Sequence, residues 1–332
     1  MKNQPAPTTA RPQGHHARLV VPALSWFLTV VGAAFTCAVL LVAGPPAMAA
    51  ERGAEQPDRI TFVAYNVENY LLMPRRVDGQ LVQAAPKPEP SIQHLIRIIA
   101  ATAPDIIGIC EIGSDQVPDL QARLAAVGID LPHVEIAGGG DVVRELALLS
   151  RFPIVARNSQ RHLTYQLDGH VLPMQRGILD ATIELSGGSH LRCVGVHFKS
   201  KREIPEFDQS LMRRHEAGLL RQHLDAIFAA EPAVKLLVYG DLNDTRNEPA
   251  VRHVIGPHNR AEGLRAVHVA DDRGERWTHY WETADLYSRI DYLLVSRSLW
   301  PRVDGERSYI PHDADFRQAS DHRPLVLSIR VD

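Results

Sequence analysis

Near the C-terminus the chain reads "QASDHRPLVLSI", with Asp321 and His322 standing just before an apolar run that begins at Leu325. The same juxtaposition recurs. "FVAYN" ends in Asn66, with Glu68 two residues on, and "DIIGIC" runs into Glu111. "CVGVH" closes on His197, "LLVYG" leads to Asp241 and then Asn243, and "SRI" opens onto Asp291. Any one of these has a plain explanation, because Asp and Asn are ordinary turn residues at strand ends. Taken together, with both histidines among them, they exceed turn chemistry. Ligands in α/β proteins gather where strand ends converge, and this set suits one hard divalent cation beside an acid–base pair. Mg²⁺ takes oxygen ligands and keeps several waters, so one or two carboxylates and a substrate phosphate satisfy it. Such an ion neutralises phosphoryl charge and activates water. Histidine moves protons near neutral pH, and a neighbouring aspartate fixes its tautomer. The chemistry that wants this set is phosphate ester hydrolysis. No H-E-x-x-H or C-x-x-C is present, which argues against zinc.

The elements that must position these residues follow from periodicity. "RITFVAYNV" alternates as a strand, and "DIIGIC" is a short apolar strand of the kind buried on both faces. "RRVDGQLVQAAPKPEP" is expected as a loop. "SIQHLIRIIAATA" is expected as an amphipathic helix with Ser91 as N-cap and Pro104 as its stop, and "SDQVPDLQARLAAVG" as a helix closed by Gly128. The middle of the chain changes period: "ELALLS", "PIVARNS", "RGILDATIELS" and "HLRCVGVHF" read as strands. The longest helix, "EFDQSLMRRHEAGLLRQHLDAIFAA", carries Leu211, Leu219, Leu220, Leu224 and Ile227 on one stripe. "VKLLVYG", "RIDYLLVS" and "PLVLSI" supply the closing strands. There is no repeat, and no Gly/Ser linker marks a domain boundary. The reading is one α/β domain over residues 59–332, with two packed mixed sheets flanked by helices.

Residues 1–50 stand apart. Lys2, Arg11 and Arg18 precede an apolar stretch, Leu19–Ala43, and "GPPAMAA" offers small residues at Ala47 and Ala49. This is the order of a secretory signal, with cleavage expected near Ala49 or Ala50 and an uncleaved anchor as the alternative. Residues 51–58 are expected as a flexible remnant. Loss of residues 1–50 removes three of 36 basic residues and none of 39 acidic ones, which leaves a net charge of −6. A broad basic footprint for polyanions is therefore absent. Cys37 lies in the leader, and Cys110 and Cys193 sit within apolar runs as small buried thiols rather than a disulfide framework.

The blocks "YNVEN", "PDIIGICEI", "LLSRFPI", "VGVHFKSK", "VYGDLND", "RIDYLLVS" and "SDHRPLVL" in this order resemble the endonuclease/exonuclease/phosphatase superfamily, the metal-dependent phosphodiesterases related to DNase I and exonuclease III. The resemblance spans Arg59 to Val331 and implies a four-layered α/β sandwich. It implies Glu111 as principal metal ligand, with Asn66 and Glu68 helping to hold metal and phosphate and Asp321 near the metal. Asp241 and Asn243 match the pair that positions, and in some accounts deprotonates, the attacking water. His322 matches the histidine beside the scissile phosphate, oriented by Asp291, and His197 a second histidine at the leaving group. Whether Asp241 or His322 acts as the base stays open. Mg²⁺ is the expected cofactor, with Mn²⁺ or Ca²⁺ as substitutes.

Arg176 in "MQRGIL" and Lys199 in "HFKSK" are candidates for substrate phosphate, against the plain alternative of solvated turn residues. Arg213 and Arg214 suit a solvated helix face or an ion pair. Trp277, Tyr280 and Trp281 are expected in the core, with base stacking as the alternative. His94, His215, His223 and His279 receive no role. The leading expectation is an exported, monomeric nuclease acting on DNA or RNA in the periplasm or outside the cell. A phosphodiesterase for a small or lipid headgroup, sphingomyelinase-like, is the alternative, and it would want an exposed apolar hairpin, which the sequence does not display. A non-catalytic binding module on the same scaffold is the third class.

Overall fold

The computed structural model describes residues 58–257 and 260–331. The leader expected over 1–50, and all but the last residue of the 51–58 remnant, lie outside the described residues. The strand β1 (Arg59–Tyr70) leads into the hairpin β2 (Met73–Val77) and β3 (Gln80–Ala85), then α1 (Glu89–Thr102), β4 (Ile106–Ile112), α2 (Val117–Ala126), β5 (His133–Ala137) and β6 (Glu145–Ser150). The chain crosses to a second sheet with β7 (Ile154–Arg157), the hairpin β8 (Thr164–Leu167) and β9 (His170–Pro173), β10 (Leu179–Glu184), β11 (His190–His197), α3 (Gln209–Ala230) and β12 (Leu236–Asp241). α4 (Pro249–Ile255), β13 (Arg265–Ala266), the hairpin β14 (His279–Trp281) and β15 (Leu286–Ser288), and β16 (Asp291–Val295) follow. The chain then returns with β17 (Val303–Tyr309), α5 (Phe316–Ala319) and β18 (Leu325–Arg330).

The two large sheets have six strands each, ordered β17-β18-β1-β4-β6-β5 and β13-β16-β12-β11-β10-β7. Each holds one parallel pair, β1 with β4 and β11 with β12, among antiparallel neighbours. The sheets pack face to face through Phe62, Ala64, Cys110, Leu179, Tyr239 and Leu293. α1 and α2 cover the outer face of the first sheet, α3 and α4 that of the second. The expected four-layered sandwich of two mixed sheets flanked by helices is the observed fold. A Cβ at Gly108 would lie 2.0 Å from the Tyr239 ring, and one at Gly195 2.6 Å from its hydroxyl. Those two glycines let a large aromatic fill the gap between the sheets. Cys110 and Cys193 are buried and unpaired, as expected.

Two local expectations change. The stretch around Val77 is not a loop but the β2/β3 hairpin, turned by Asp78 at φ 50° and Gly79 at φ 79°. Both angles are left-handed, as a two-residue Asp-Gly hairpin turn requires. Asp168 and Gly169 repeat this at φ 50° and 80° between β8 and β9. Ser91 does not cap α1, which starts two residues earlier behind Pro88 and with Pro90 in its first turn; proline suits that position because its missing N–H is unneeded there. Gly128 does close α2, at φ 87° with its N–H donated to the Ala125 carbonyl. On α3, Asp208 is the cap, accepting from the Ser210 and Leu211 N–H groups. Among the described residues no helix is long and apolar enough to cross a membrane.

Candidate active site

The two parallel pairs deliver their C-terminal ends to one place. β1 and β4 carry Asn66 and Glu111 in their C-terminal parts, and β11 and β12 end at His197 and Asp241. The antiparallel strands β16 and β18 start there, at Asp291 and just after His322. Register slips between Asn66 and Tyr70 on β1, and around Glu111 against β6, bend the two strand ends. Glu68, Asn69, Glu111 and Asn243 all hold left-handed backbone, at φ 47°, 58°, 66° and 52°. A non-glycine residue there costs about 1 kcal/mol or more. Such bends re-aim side chains, and here they turn carboxylates into the mouth between the sheets.

Asn66, nearly fully buried, is the hub. Its Nδ2 lies 3.4 Å from Glu111 Oε1, 3.2 Å from Asp241 Oδ2 and 3.4 Å from His322 Nε2. Its own oxygen accepts the Glu68 N–H at 3.1 Å. Asp241 Oδ2 sits among three nitrogens, with His197 Nε2 at 3.5 Å and His322 Nε2 at 3.7 Å besides the asparagine. Asp241 Oδ1 accepts the Asn243 N–H at 2.8 Å, and the Asn243 amide donates to the Phe198 carbonyl, tying the ends of β11 and β12 together. His322 Nδ1 pairs with Asp291 Oδ2 at 2.8 Å. The residues expected from the sequence as catalytic therefore share one buried cluster.

Their charges follow from the surroundings. Burial alone would depress His322, but Asp291, by charge and hydrogen bond, together with Asp241, raises it well above its ordinary value, so the ring is an imidazolium. Burial and the nearby Asp291 push the Asp241 carboxyl up to about 7. Burial, then the Arg176 and His322 cations, drive His197 well below its ordinary value and keep it neutral.

A sequence model described as "Endonuclease/Exonuclease/phosphatase family" matches residues 63–322, which contain this entire cluster. The chain belongs to the endonuclease/exonuclease/phosphatase family. No curated protein sequence matches it. Among solved structures, an endonuclease/exonuclease/phosphatase family protein from Leptotrichia buccalis superposes with a TM-score of 0.56 at 16% identity, covering 82% of this chain and 100% of that one. Truncated TDP2 from Caenorhabditis elegans gives 0.54 at 15%, covering 83% and 99%, and the human Nocturnin catalytic domain with bound sulfate gives 0.55 at 18%, covering 82% and 94%. At these identities the likeness speaks for the fold. As a member of this family the chain is a hydrolase of phosphoester bonds.

Members of the family use a divalent metal, and the donors here fit one. Glu111, Glu68 and Asp321 bring carboxylates to the rim, with side chains 18%, 38% and 32% exposed. Burial and then the Asp321 charge raise the Glu68 carboxyl, against the pull of the Lys87 and Arg317 cations. Glu111 keeps acceptor capacity beyond its bonds to Asn66 and the Asn69 N–H. Oxygen-rich and partly wet, this end suits a hard ion. Asn66, expected as a ligand, turns its NH₂ rather than its oxygen toward the cluster.

The mouth opens into a groove of about 370 Å³ with carboxylates at one end and Arg144, Arg176, Lys199 and Arg202 at the other. Arg176 is buried with one contact, Nη2 to Asp141 Oδ2 at 3.2 Å, and its Nε has no partner among the described residues. Lys199 lines the groove, but its ammonium donates to the Ser200 and Arg202 carbonyls. Buried Glu216 of α3 holds both loops, accepting the Gln175 and Lys199 N–H groups at 3.0 and 2.6 Å. Arg213 is buried rather than solvated and pairs with Asp244 at 3.0 Å.

Sequence reasoning missed several supports. Ser320 Oγ donates to the Asn66 carbonyl and accepts the His322 N–H. Thr278 Oγ1 accepts the Ile290 and Asp291 N–H groups. Lys87, buried, donates to the Glu68 carbonyl at 2.8 Å. His279 lies 3.7 Å from Asp321 Oδ2, with its ring 4.6 Å from that of His322. The "THYW" stretch gave no signal for this, since a lone histidine among aromatics reads as core. The aromatics themselves correct the reading: Trp281 is 53% exposed, and Leu286 and Tyr287 are each 52% exposed. The apolar hairpin absent from the sequence reading is present as β14/β15.

Proposed function

We propose that the chain hydrolyses the phosphodiester bonds of nucleic acid strands with a divalent cation, Mg²⁺ first and Mn²⁺ or Ca²⁺ as substitutes. The observation that carries this is Asp241 Oδ2, dry and within 3.7 Å of Asn66, His197 and His322 nitrogens. A carboxylate with its proton affinity raised to about 7 is suited to take a proton from water near neutral pH. His322, held as imidazolium by Asp291, faces the same point and donates toward a phosphoryl oxygen, so Asp241 rather than His322 is the base. Asn66 and neutral His197 donate hydrogen bonds to the same centre and keep the attacking water aligned. Glu111, Glu68 and Asp321 would hold the ion. When bound there, the ion supplies charge neutralisation at the phosphoryl group.

The cationic end of the groove supports a strand substrate, because the phosphate next to the scissile one needs a counter-charge. A net charge of −6 without residues 1–50 makes that attraction local rather than global. On the strength of residues 1–50 we take the enzyme to act outside the cytoplasm. The exposed β14/β15 hairpin favours a second reading, a lipid headgroup phosphodiester. Incubation of the purified protein with plasmid DNA, RNA and sphingomyelin, with Mg²⁺, Mn²⁺ or Ca²⁺ and an EDTA control, separates them. Metal-dependent nicking of nucleic acid is the expected result, and cleavage of lipid alone reverses the order.

A further inference from the structure

The β14/β15 hairpin grows out of the catalytic cluster. The Tyr280 N–H donates to the Asp321 carbonyl at 3.0 Å, and the Arg323 N–H to the Thr278 carbonyl at 2.7 Å. Its register pairs His279 with Ser288, Tyr280 with Tyr287 and Trp281 with Leu286. Side chains alternate along a strand, so the two faces of the hairpin carry different pairs. Tyr280 and Tyr287 stack on each other at 4.5 Å, and Tyr287 packs against Trp277, with Arg317 over the Tyr280 ring. The other face starts at His279, which touches Asp321 and His322. Trp281 and Leu286 share that face, about 7 Å further along by strand rise.

Trp281 is 53% and Leu286 52% exposed. Two apolar side chains thus stand half-bare beside the scissile position, on the face that reaches the catalytic histidine. Around them stand two carboxylates and one cation. Glu282 pairs with Arg317 at 3.1 Å, and Asp285 accepts from the Tyr280 hydroxyl at 3.0 Å. With Glu282 matched by Arg317 and Asp285 left in excess, the tip offers a phosphate or an anionic lipid surface no net attraction, and a neutral planar ring is the fitting occupant.

We propose that Trp281 and Leu286 form a platform on which an unpaired nucleobase stacks, one nucleotide from the scissile phosphate on the Asp321 side. This rests on the nucleic-acid reading and narrows it to single-stranded or locally unpaired strands, because a paired base has no face to offer. A phosphate-to-base reach of one nucleotide matches the His279-to-Trp281 offset. The cationic end of the groove would then take the strand's phosphates on the opposite side.

The test is a scan in which single-stranded oligonucleotides carry one abasic nucleotide at successive positions about the cleaved bond, with Mg²⁺ and the full chain. For the wild type, one position on one side should slow cleavage roughly ten-fold, the scale of a lost stacking contact. Trp281→Ala should slow the intact strand by a similar factor and be indifferent to the abasic nucleotide at that position. Trp281→Phe should keep most of the effect. In EDTA, an uncleaved oligonucleotide should quench tryptophan fluorescence in the wild type more than in Trp281→Phe. A flat scan with active enzyme overturns the platform and leaves the nuclease reading standing. A Trp281 emission shift on phosphatidylcholine–sphingomyelin vesicles, with none on oligonucleotide, overturns it in favour of a bilayer. No cleavage of any nucleic acid by the wild type removes the proposed function and the platform with it.

Discussion

The first sheet brings Asn66, Glu68 and Glu111 to the site on bent strand ends, Glu68 and Glu111 with left-handed backbone, and its carboxylates meet solvent at the rim. The second sheet brings His197, Asp241 and Asp291 on straight strands, each side chain no more than 7% exposed. The same device, the end of a parallel pair, thus yields a wet anionic half and a dry titratable half. The difference is one of dielectric. Carboxylates that reach solvent can hold a hydrated cation, whereas the dry groups face only one another and have their proton affinities moved by burial and by their neighbours. His322 joins the halves: its chain segment belongs to the first sheet and its partner, Asp291, to the second.

If the dry half moves protons, its loss should be the most damaging. Asp241→Asn and His322→Ala are each expected to lower kcat by about 10³-fold or more, with the metal concentration for half-maximal rate unchanged. Circular dichroism should show a folded chain. A variant with wild-type turnover ends the assignment. The wet half should fail differently. Glu111→Gln is expected to lower activity by roughly 10–100-fold, the scale of a weakened metal site, and to recover in part at high Mg²⁺ or Mn²⁺. If extra metal restores nothing, Glu111 is not a ligand and the contrast between the halves is wrong.

The site's residues could be found in sequence because each follows or precedes a strand of nearly pure Ile, Leu and Val, where a lone Asp or His is conspicuous. Their roles were harder. The neutral state of His197 depends on its burial first and then on Arg176 and His322, all set by the tertiary fold. Glu216 was invisible as a buried clamp, since a glutamate on a long helix ordinarily faces water. Trp281 misled in the opposite sense: an aromatic between two strands normally lands in a core, but a three-residue strand pair has no layer to lie against. The two hairpins with Asp-Gly turns were open to reading from those dipeptides alone, and Ser91 lost its capping role because Pro90 already fits the first turn of α1.

The halves depend on the sheets meeting closely. Gly108→Ala would push a methyl into the Tyr239 ring. It should cost about 1–3 kcal/mol in urea unfolding, with a smaller change in turnover than any substitution at Asp241. A neutral Gly108→Ala would mean that Tyr239 has room to shift.

The smallest effect separates Asp241 from Asp321, because its sign differs between them. The Asp241 carboxyl is raised from 3.8 to about 7, so the folded chain holds that proton more tightly than the unfolded chain does. Its stabilising contribution is complete below pH 3.8 and lost as pH rises through about 7. Burial opposes ionisation of Asp321, but the His279 hydrogen bond and the His322 charge hold it down near 2. Its contribution is present above pH 3.8 and lost as pH falls toward 2. In EDTA at pH 8, Asp241→Asn should therefore melt higher than the wild type by a few °C, on the order of 2–4 °C per kcal/mol gained, and Asp321→Asn lower. At pH 4 the Asp241→Asn advantage should vanish, because the wild-type carboxyl already carries its proton. A lower Tm for Asp241→Asn at pH 8 would show that the His322 cation, not burial, governs this carboxylate, and the base proposed for the reaction would have too little proton affinity to serve.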